Sequence, residues 1–308
     1  MEYALIVKHL KKSYGDVKAV NDISFEVKKG SLFAFLGING AGKSTTINII
    51  CSILSKDDGE IILEGYDLDK DREKIKNLIG FVFQSSVLDD KLSVYDNLRF
   101  RTKFYGMSKE EEKNNINRII KLLDLEPILN RPIKNLSGGQ KRRVDIARAI
   151  VHYPKFLILD EPTTGLDPKT RELVWELIDH IRIETGMTVF LTTHYLEEAD
   201  QASDVVIMDK GNIIAKGTPV ELKNQYSSDY IISYQEKNVE FEGLLTQNNI
   251  KFKFNEEKNL YMIHVKDTKE AKEIINKFDN YLEDIEIKKG DMDDVFLNVT
   301  GRDMKDHE

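Results

Sequence analysis

Gly37-Ile38-Asn39-Gly40-Ala41-Gly42-Lys43-Ser44 follows the apolar run Leu32-Phe33-Ala34-Phe35-Leu36 and opens a helical run from Lys43 to Ser52. The spacing fits G-x-x-x-x-G-K-[ST], and a strand before it with a helix after it is the context that marks a phosphate-binding loop. The glycines let the backbone bend so that successive N–H groups point at phosphate oxygens, and the helix N-terminus adds positive potential. In such a loop Lys43 reaches the β- and γ-phosphates and Ser44 offers its hydroxyl to Mg2+. The reading is an α/β domain built around this loop.

Phe156-Leu157-Ile158-Leu159-Asp160-Glu161 is a second apolar run, ending in two acids. Beside a phosphate-binding loop, Asp160 becomes the Mg2+-side carboxylate and Glu161 the group able to polarise an attacking water. Thr188-Val189-Phe190-Leu191 is a third such run. Uninterrupted apolar runs bounded by turn residues predict central strands covered on both faces. Residues 21–27 alternate instead, with Ile23, Phe25 and Val27 between polar neighbours, which predicts a half-exposed antiparallel strand and hence a mixed sheet. Over 87–151 the texture turns charged and helical, with Glu110-Glu111-Glu112-Lys113 ahead of the periodic Ile116, Ile119, Ile120, Leu122 and Leu123. That predicts a helical subdomain inserted into the sheet domain.

Past Thr218-Pro219 a short helix ends near Gln225, and Tyr226-Ser227-Ser228-Asp229 reads as a linker. A second unit follows in the order βαββαβ: strands at 230–234, 250–254, 260–265 and 285–287, helices at 239–245 and 268–278. This order predicts a small α+β ferredoxin-like domain. The domains are thus 1–225 and 226–308. The 308 residues carry 45 Lys and Arg against 53 Asp and Glu, a net charge of −8. Residues 226–308 hold 12 of the former and 19 of the latter, or −7, leaving −1 for residues 1–225. The acidity belongs to the second unit, and neither part has the basic excess expected of a nucleic-acid partner. Mean hydropathy is −0.41. The N-terminus lacks a basic segment followed by an apolar one and a cleavage site, and no apolar stretch nears the ~18–20 residues that span a bilayer. The lone Cys51 forms no intrachain disulfide and reads as a packing thiol.

Leu136-Ser137-Gly138-Gly139-Gln140 begins another helix, with Ser137 suited to cap it. Between a phosphate-binding loop and a strand ending in Asp160-Glu161, this segment resembles the signature of the ABC ATPase superfamily, and the resemblance runs from about residue 5 to 225. It implies ATP and Mg2+ as cofactors. It assigns nucleotide contacts to Gly37, Asn39, Gly40, Gly42, Lys43, Ser44 and Thr45, with Mg2+ held by Ser44, Gln84 and Asp160. Tyr14 resembles the aromatic residue that stacks on adenine, Gln84 the Q-loop glutamine, Asp167 the D-loop aspartate of Gly165-Leu166-Asp167, and His194 the catalytic switch histidine near the γ-phosphate. Ile38 stands where many members have proline.

The same resemblance implies a head-to-tail pair of ATPase subunits, a homodimer with a heterodimer as the alternative. ATP on one loop is then completed by Ser137, Gly138, Gly139 and Gln140 of the opposite subunit. A membrane-spanning permease is implied as the other partner, docking near Gln84 and 87–105, with this chain peripheral on the cytoplasmic face of the membrane. Residues 292–302, Met-Asp-Asp-Val-Phe-Leu-Asn-Val-Thr-Gly-Arg, resemble the ending of ABC-2 type drug- and antibiotic-resistance exporter ATPases, which favours export. The alternatives are an importer ATPase, or a mechanical ATPase working on a nucleic-acid or ribosomal complex; against the latter, the chain has no second cassette, coiled-coil insertion or cysteine-rich zinc module. Trp175 reads as a packing residue, Lys141-Arg142-Arg143 with Arg148 as a solvated basic helix face, and His152 receives no role.

Overall fold

The fully apolar runs need cover on both faces, and in the computed structural model they become interior strands of a six-stranded sheet. The structure describes residues 2–301; Met1 and 302–308, including Arg302 of the C-terminal motif, lie outside the described residues. The chain divides into two compact units, Met1–Thr218 and Pro219–Glu308.

The first unit has strands β1 (Tyr3–Tyr14), β2 (Val17–Lys28), β3 (Leu32–Leu36), β4 (Asp58–Leu63), β5 (Tyr66–Asp67), β6 (Ile79–Val82), β7 (Phe156–Asp160), β8 (Thr188–Thr193), β9 (Asp204–Asp209) and β10 (Asn212–Gly217). Its helices are α1 (Lys43–Ile50), α2 (Arg72–Leu78), α3 (Val94–Thr102), α4 (Lys109–Leu122), α5 (Gly138–Ile150), α6 (Pro168–Thr185) and α7 (Leu196–Asp200). The mixed sheet expected from the sequence is present, and a separate antiparallel sheet accompanies it. The antiparallel sheet has the order β2-β1-β4-β5; the mixed one runs β10-β9-β3-β8-β7-β6, parallel except where β10 pairs with β9. The alternating strand read at 21–27 belongs to the first. The inward ring of Phe25 sits 5.7 Å from that of Phe33 and 5.3 Å from that of Phe35, closing the two sheets over one core shared with Ile47 and Ile50 of α1.

In the parallel sheet β3, β8, β7 and β6 are consecutive neighbours, so their carboxyl ends lie along one edge. Ligands of open α/β sheets bind at this edge. Residues 87–151 hold α3 and α4, each capped by a serine: Ser93 accepts from Asp96 N–H, and Ser108 forms a capping box with Glu111. From there α5 returns to the sheet so closely that a Cβ on Gly80 of β6 would stand 2.6 Å from the Ala149 carbonyl oxygen. Cys51 is half-buried against the core, and burial pushes its thiol above the ordinary range.

The second unit starts with α8 (Pro219–Tyr226), then runs β11 (Asp229–Tyr234), α9 (Val239–Gln247), β12 (Phe252–Asn255), β13 (Leu260–Val265), α10 (Thr268–Lys277), β14 (Ile285–Lys288) and α11 (Met292–Thr300). The boundary therefore falls before α8 rather than after it, because Asn298 of α11 donates to the Tyr226 carbonyl at 2.8 Å and ties α8 to this unit. Its antiparallel sheet has the order β12-β13-β11-β14, the ferredoxin-like arrangement of a βαββαβ chain. Phe241 and Leu245 of α9 and Ala271 and Ile274 of α10 bury against Ile231, Tyr261 and Ile263 of that sheet. On α11, Val295 and Phe296 are buried and Leu297 is exposed, the face expected of a terminal packing helix.

Candidate functional site

The loop after β3 turns so tightly that glycine is required twice. At Gly42, φ is +107° and an added Cβ would overlap the carbonyl oxygen of Ala19 in β2; at Gly37 a Cβ would stand 2.5 Å from the Met208 carbonyl oxygen. Lys43 is only 4 % exposed. Its Nζ donates to the Gly37 carbonyl at 2.5 Å and the Ile38 carbonyl at 3.2 Å, and lies 3.8 Å from Glu161 Oε1. Burial lowers its pKa, opposed by the charges of Glu161 and Asp160. Ser44, Asn39 and Gly40 are exposed around this turn, and Thr45 is half-buried on α1.

The carboxyl ends of β6, β7 and β8 converge on Glu161. Gln84, just past β6, donates from Nε2 to Glu161 Oε2 at 2.9 Å. Thr164 Oγ1 donates to the same oxygen at 3.2 Å, and His194 Nδ1, just past β8, lies 3.4 Å from it at ion-pair distance but outside hydrogen-bond geometry. His194, and then Lys43, hold the Glu161 carboxyl below its ordinary value against the opposing effect of burial. Glu161 itself has φ +43°, an uncommon conformation for a side-chain-bearing residue, and its N–H is fixed by the Thr192 hydroxyl at 3.1 Å. Strain of this kind persists only where the surroundings over-determine it. Asp160 stands in register with Thr192 across β7 and β8, and accepts from the Thr192 hydroxyl at 2.6 Å. Burial raises the Asp160 pKa, with Thr192 opposing.

Arg142 corrects the reading of 141–143 as a solvated face. It is 7 % exposed and donates to four carbonyls: Pro162 at 2.5 Å, Phe83 at 2.6 Å, Glu161 at 3.2 Å and Asp160 at 3.3 Å. It thereby fastens the segment leading to Gln84 to the turn carrying Asp160 and Glu161, and burial lowers its pKa. The signal lay in the helix period, since Arg142 is one turn from Ile146 and two from Ala149 on the buried stripe of α5. Thr164, Thr192 and Glu198 also went unread. Trp175 is buried, as a packing residue should be. His152 stacks on Tyr105 with ring centroids 3.8 Å apart, and its Nε2 is 3.1 Å from the Ile79 carbonyl oxygen.

Other predicted residues sit apart from this cluster. Ser137 caps α5, accepting from Gln140 N–H at 3.3 Å while the Gln140 side chain accepts from Ser137 N–H at 3.1 Å. Gly138 and Gly139 face Leu166 and Thr170, and Asp167 caps α6 by accepting from Thr170 N–H at 3.0 Å. Among the described residues no hydrogen bond or ion pair joins Ser137, Gly138, Gly139, Gln140 or Asp167 to the loop of Lys43 or to Glu161. Tyr14 closes the β1–β2 hairpin opposite Val17 and is 51 % exposed; the same hairpin brings Ala19 against Gly42.

A glycine loop on a helix start, with a buried lysine and a glutamate held beside it, is the arrangement of a P-loop nucleoside-triphosphate hydrolase. A family model described as ABC transporter matches residues 20–164. The linearmycin resistance ATP-binding protein LnrL of Bacillus subtilis is 41% identical over 229 residues, covering 74% of this chain and 73% of that protein. The chain belongs to the ABC transporter family and is an ATP-hydrolysing subunit of it. Nod factor export ATP-binding protein I of Cupriavidus pinatubonensis is 32% identical over 306 residues, 98% of this chain and 92% of that protein. A dimeric ATP-binding cassette solved in a post-hydrolysis state with ADP and Pi is 30% identical with a TM-score of 0.62, covering 70% of this chain and 98% of that one.

Proposed function

We propose that this chain powers export through a separate membrane-spanning permease, working as a pair of ATPase subunits peripheral to the cytoplasmic face of the membrane. The observation that carries the reading is the convergence of Gln84, Thr164, His194 and Lys43 on one glutamate beside the P-loop. In the assignment, loop residues 37–45 bind the phosphates and Glu161 takes a proton from the attacking water, with Gln84 and His194 orienting it. Tyr14 stacks on the base. Ser137, Gly138, Gly139, Gln140 and Asp167 complete the site of the opposite subunit, which accounts for their standing apart from Glu161 within one chain.

Ser44, Gln84 and Asp160 offer hard oxygen donors with a single carboxylate, a set that suits Mg2+, which takes one or two carboxylates together with substrate phosphates. Among the described residues no cluster of three or more His, Cys, Asp or Glu competes with it. When bound, Mg2+ supplies neutralisation of phosphate charge. Catalysis is assigned to the first unit, residues 1–218, and an accessory role to the acidic second unit, residues 219–308.

Among the described residues no helix is long and apolar enough to cross a membrane. Phe83, Val87, Phe100 and Phe104 are exposed, Phe100 and Phe104 pack edge-to-face at 5.4 Å, and Phe83 and Phe104 line a groove of about 350 Å³ with Ile53 and Arg101. Exposed apolar patches of this kind mark interaction sites, and this one supports permease docking at 87–105. The relatives named for linearmycin resistance and Nod factor export support the direction. The test is purification of the chain from its native membranes together with whatever polytopic membrane protein it retains. Co-purification, and ATP-driven uptake of an amphiphilic drug into inside-out vesicles, are expected; hydrolysis with no membrane partner and no vesicle accumulation overturns the reading.

A further inference from the structure

Glu198 of α7 is 2 % exposed, yet among the described residues no lysine, arginine or histidine stands at ion-pair distance from it. Two buried hydroxyls meet its carboxyl group instead. Thr163 Oγ1 donates to Oε1, and Thr193 Oγ1 donates to Oε2 at 2.5 Å. Thr193 Oγ1 also accepts from Tyr195 N–H at 2.8 Å, so its own proton is committed to Glu198. A buried acid with no ion pair costs stability that an apolar side chain of similar volume would not, and the charge of Arg142 acts on Glu198 only from beyond ion-pair distance. Packing alone gives no reason for Glu198.

Chain position gives one. Thr163 and Thr193 each immediately precede a residue on Glu161: Thr164 donates to Glu161 Oε2 at 3.2 Å, and His194 Nδ1 is 3.4 Å from the same oxygen. Thr192, one residue earlier in β8, holds Asp160 at 2.6 Å. From Thr163 the backbone runs on through a turn in which its carbonyl accepts from Leu166 N–H at 3.1 Å, reaching Asp167 at the start of α6. Two separate segments therefore present one residue to Glu161 and the adjacent one to Glu198.

We propose that Glu198 is a positioning residue for ATP hydrolysis: it clamps the segment after β7 to the segment after β8 and so sets where Thr164 and His194 stand around Glu161. A displacement of the 163–167 turn is carried through Thr163, Glu198 and Thr193 to His194. The proposal rests on the assignment of Glu161 as the group that activates water.

The experiment measures turnover and ATP affinity of the full chain in three folded variants and one double variant. Glu198→Gln replaces an acceptor oxygen with a donor, so two donating hydroxyls cannot both be met. Thr163→Val removes the other end of the clamp at nearly constant size. Both are expected to lower kcat between about 10- and 100-fold with ATP Kd nearly unchanged, the scale of a small misplacement of reacting groups. Thr163→Ser, which keeps the hydroxyl, recovers most of the rate, and Glu198→Gln with Thr163→Val loses no more than the worse single variant. Unchanged kcat in both singles overturns the proposal, as does a loss that tracks melting temperature and ATP Kd and is not recovered by serine. Glu161→Gln measured alongside separates the two assignments. If it still hydrolyses ATP, the reading of Glu161 fails; if it is inert while Glu198→Gln is fully active, the clamp alone fails.

Discussion

Both units have apolar cores, but they differ in the polar side chains they bury beside them. In the first, Lys43, Arg142, Asp145, Glu161, Thr163, Thr192, Thr193 and Glu198 are all buried, most of them at or behind the carboxyl ends of β3, β6, β7 and β8. In the second, Ser233 is the buried polar side chain among the described residues, and the core is Ile231, Phe241, Tyr261, Ile263 and their neighbours. Burying a polar group costs free energy unless it is hydrogen-bonded, and burying a charge costs more. The first unit accepts much of that cost where chemistry needs oriented charge in a low dielectric, with a second buried cluster around Glu112 and Thr102 in its helical subdomain. The second has no such place; its charge is on the surface, and its interior serves stability alone.

The sharpest way to break that contrast is Glu161→Gln. Gln84, Thr164 and His194 all orient a carboxylate, and an amide of the same size leaves the fold intact but cannot take the proton. Steady-state hydrolysis should fall by about 10²–10⁴ while ATP binding is retained. Turnover near that of the native chain would remove the chemistry from this unit and the contrast with it.

Phe241→Ala makes the converse test in the second unit. Phe241 is fully buried, with its ring 5.4 Å from Tyr261, 5.8 Å from Tyr281 and 5.9 Å from Phe278. Truncating a buried phenylalanine costs about 3–5 kcal/mol, so calorimetry should show the transition of residues 219–308 falling while ATP affinity holds. An equal fall in ATP affinity would show that the second interior also supports the site.

What was legible in the sequence divides along the same line. The P-loop, the acids Asp160 and Glu161, and the βαββαβ order are local patterns: glycine spacing, an acid after an apolar run, a hydrophobic period that changes from 2 to 3.6. Arg142, Thr192, Thr163 and Glu198 are not, because each acts across a register or a turn. Thr192 reaches Asp160 only because β7 and β8 pair them, and Arg142 looked solvated because its neighbours Lys141 and Arg143 are charged. The placement of strand 21–27 in a separate antiparallel sheet has the same origin, since alternation marks a half-exposed strand without saying which partner it pairs with. The α8 boundary was missed because its packing partner α11 lies about seventy residues on.

Acid sharpens the contrast at a smaller scale. Burial lowers the His152 pKa from 6.5 to about 4. On acidification the unfolded chain takes the proton first, so this contribution to stability is full above about pH 6.5 and is lost as pH falls toward 4, up to about 3 kcal/mol. Burial lowers His264 in the second unit in the same direction, but that group is less enclosed, so its slope should be shallower. Denaturant unfolding of the two transitions between pH 7 and pH 4 measures both. His152→Phe should flatten the first slope, and an unchanged slope would move the acid response to other groups.

Tyr14 is the smallest and cleanest case, because it belongs to the first unit yet is half exposed. Its removal should leave the melting temperature almost unchanged, since the ring fills no core position. If the ring stacks on adenine, Tyr14→Ala should weaken ATP binding by about 1–3 kcal/mol, on the scale of other aromatic–base contacts. Tyr14→Phe keeps the aromatic face and should bind ATP as the native chain does; a loss as large as that of alanine would mean that the hydroxyl, not the ring, makes the contact. Unchanged ATP affinity in both variants would return Tyr14 to the ordinary surface and leave the nucleotide to be held, on this chain, by buried charge and backbone N–H groups alone.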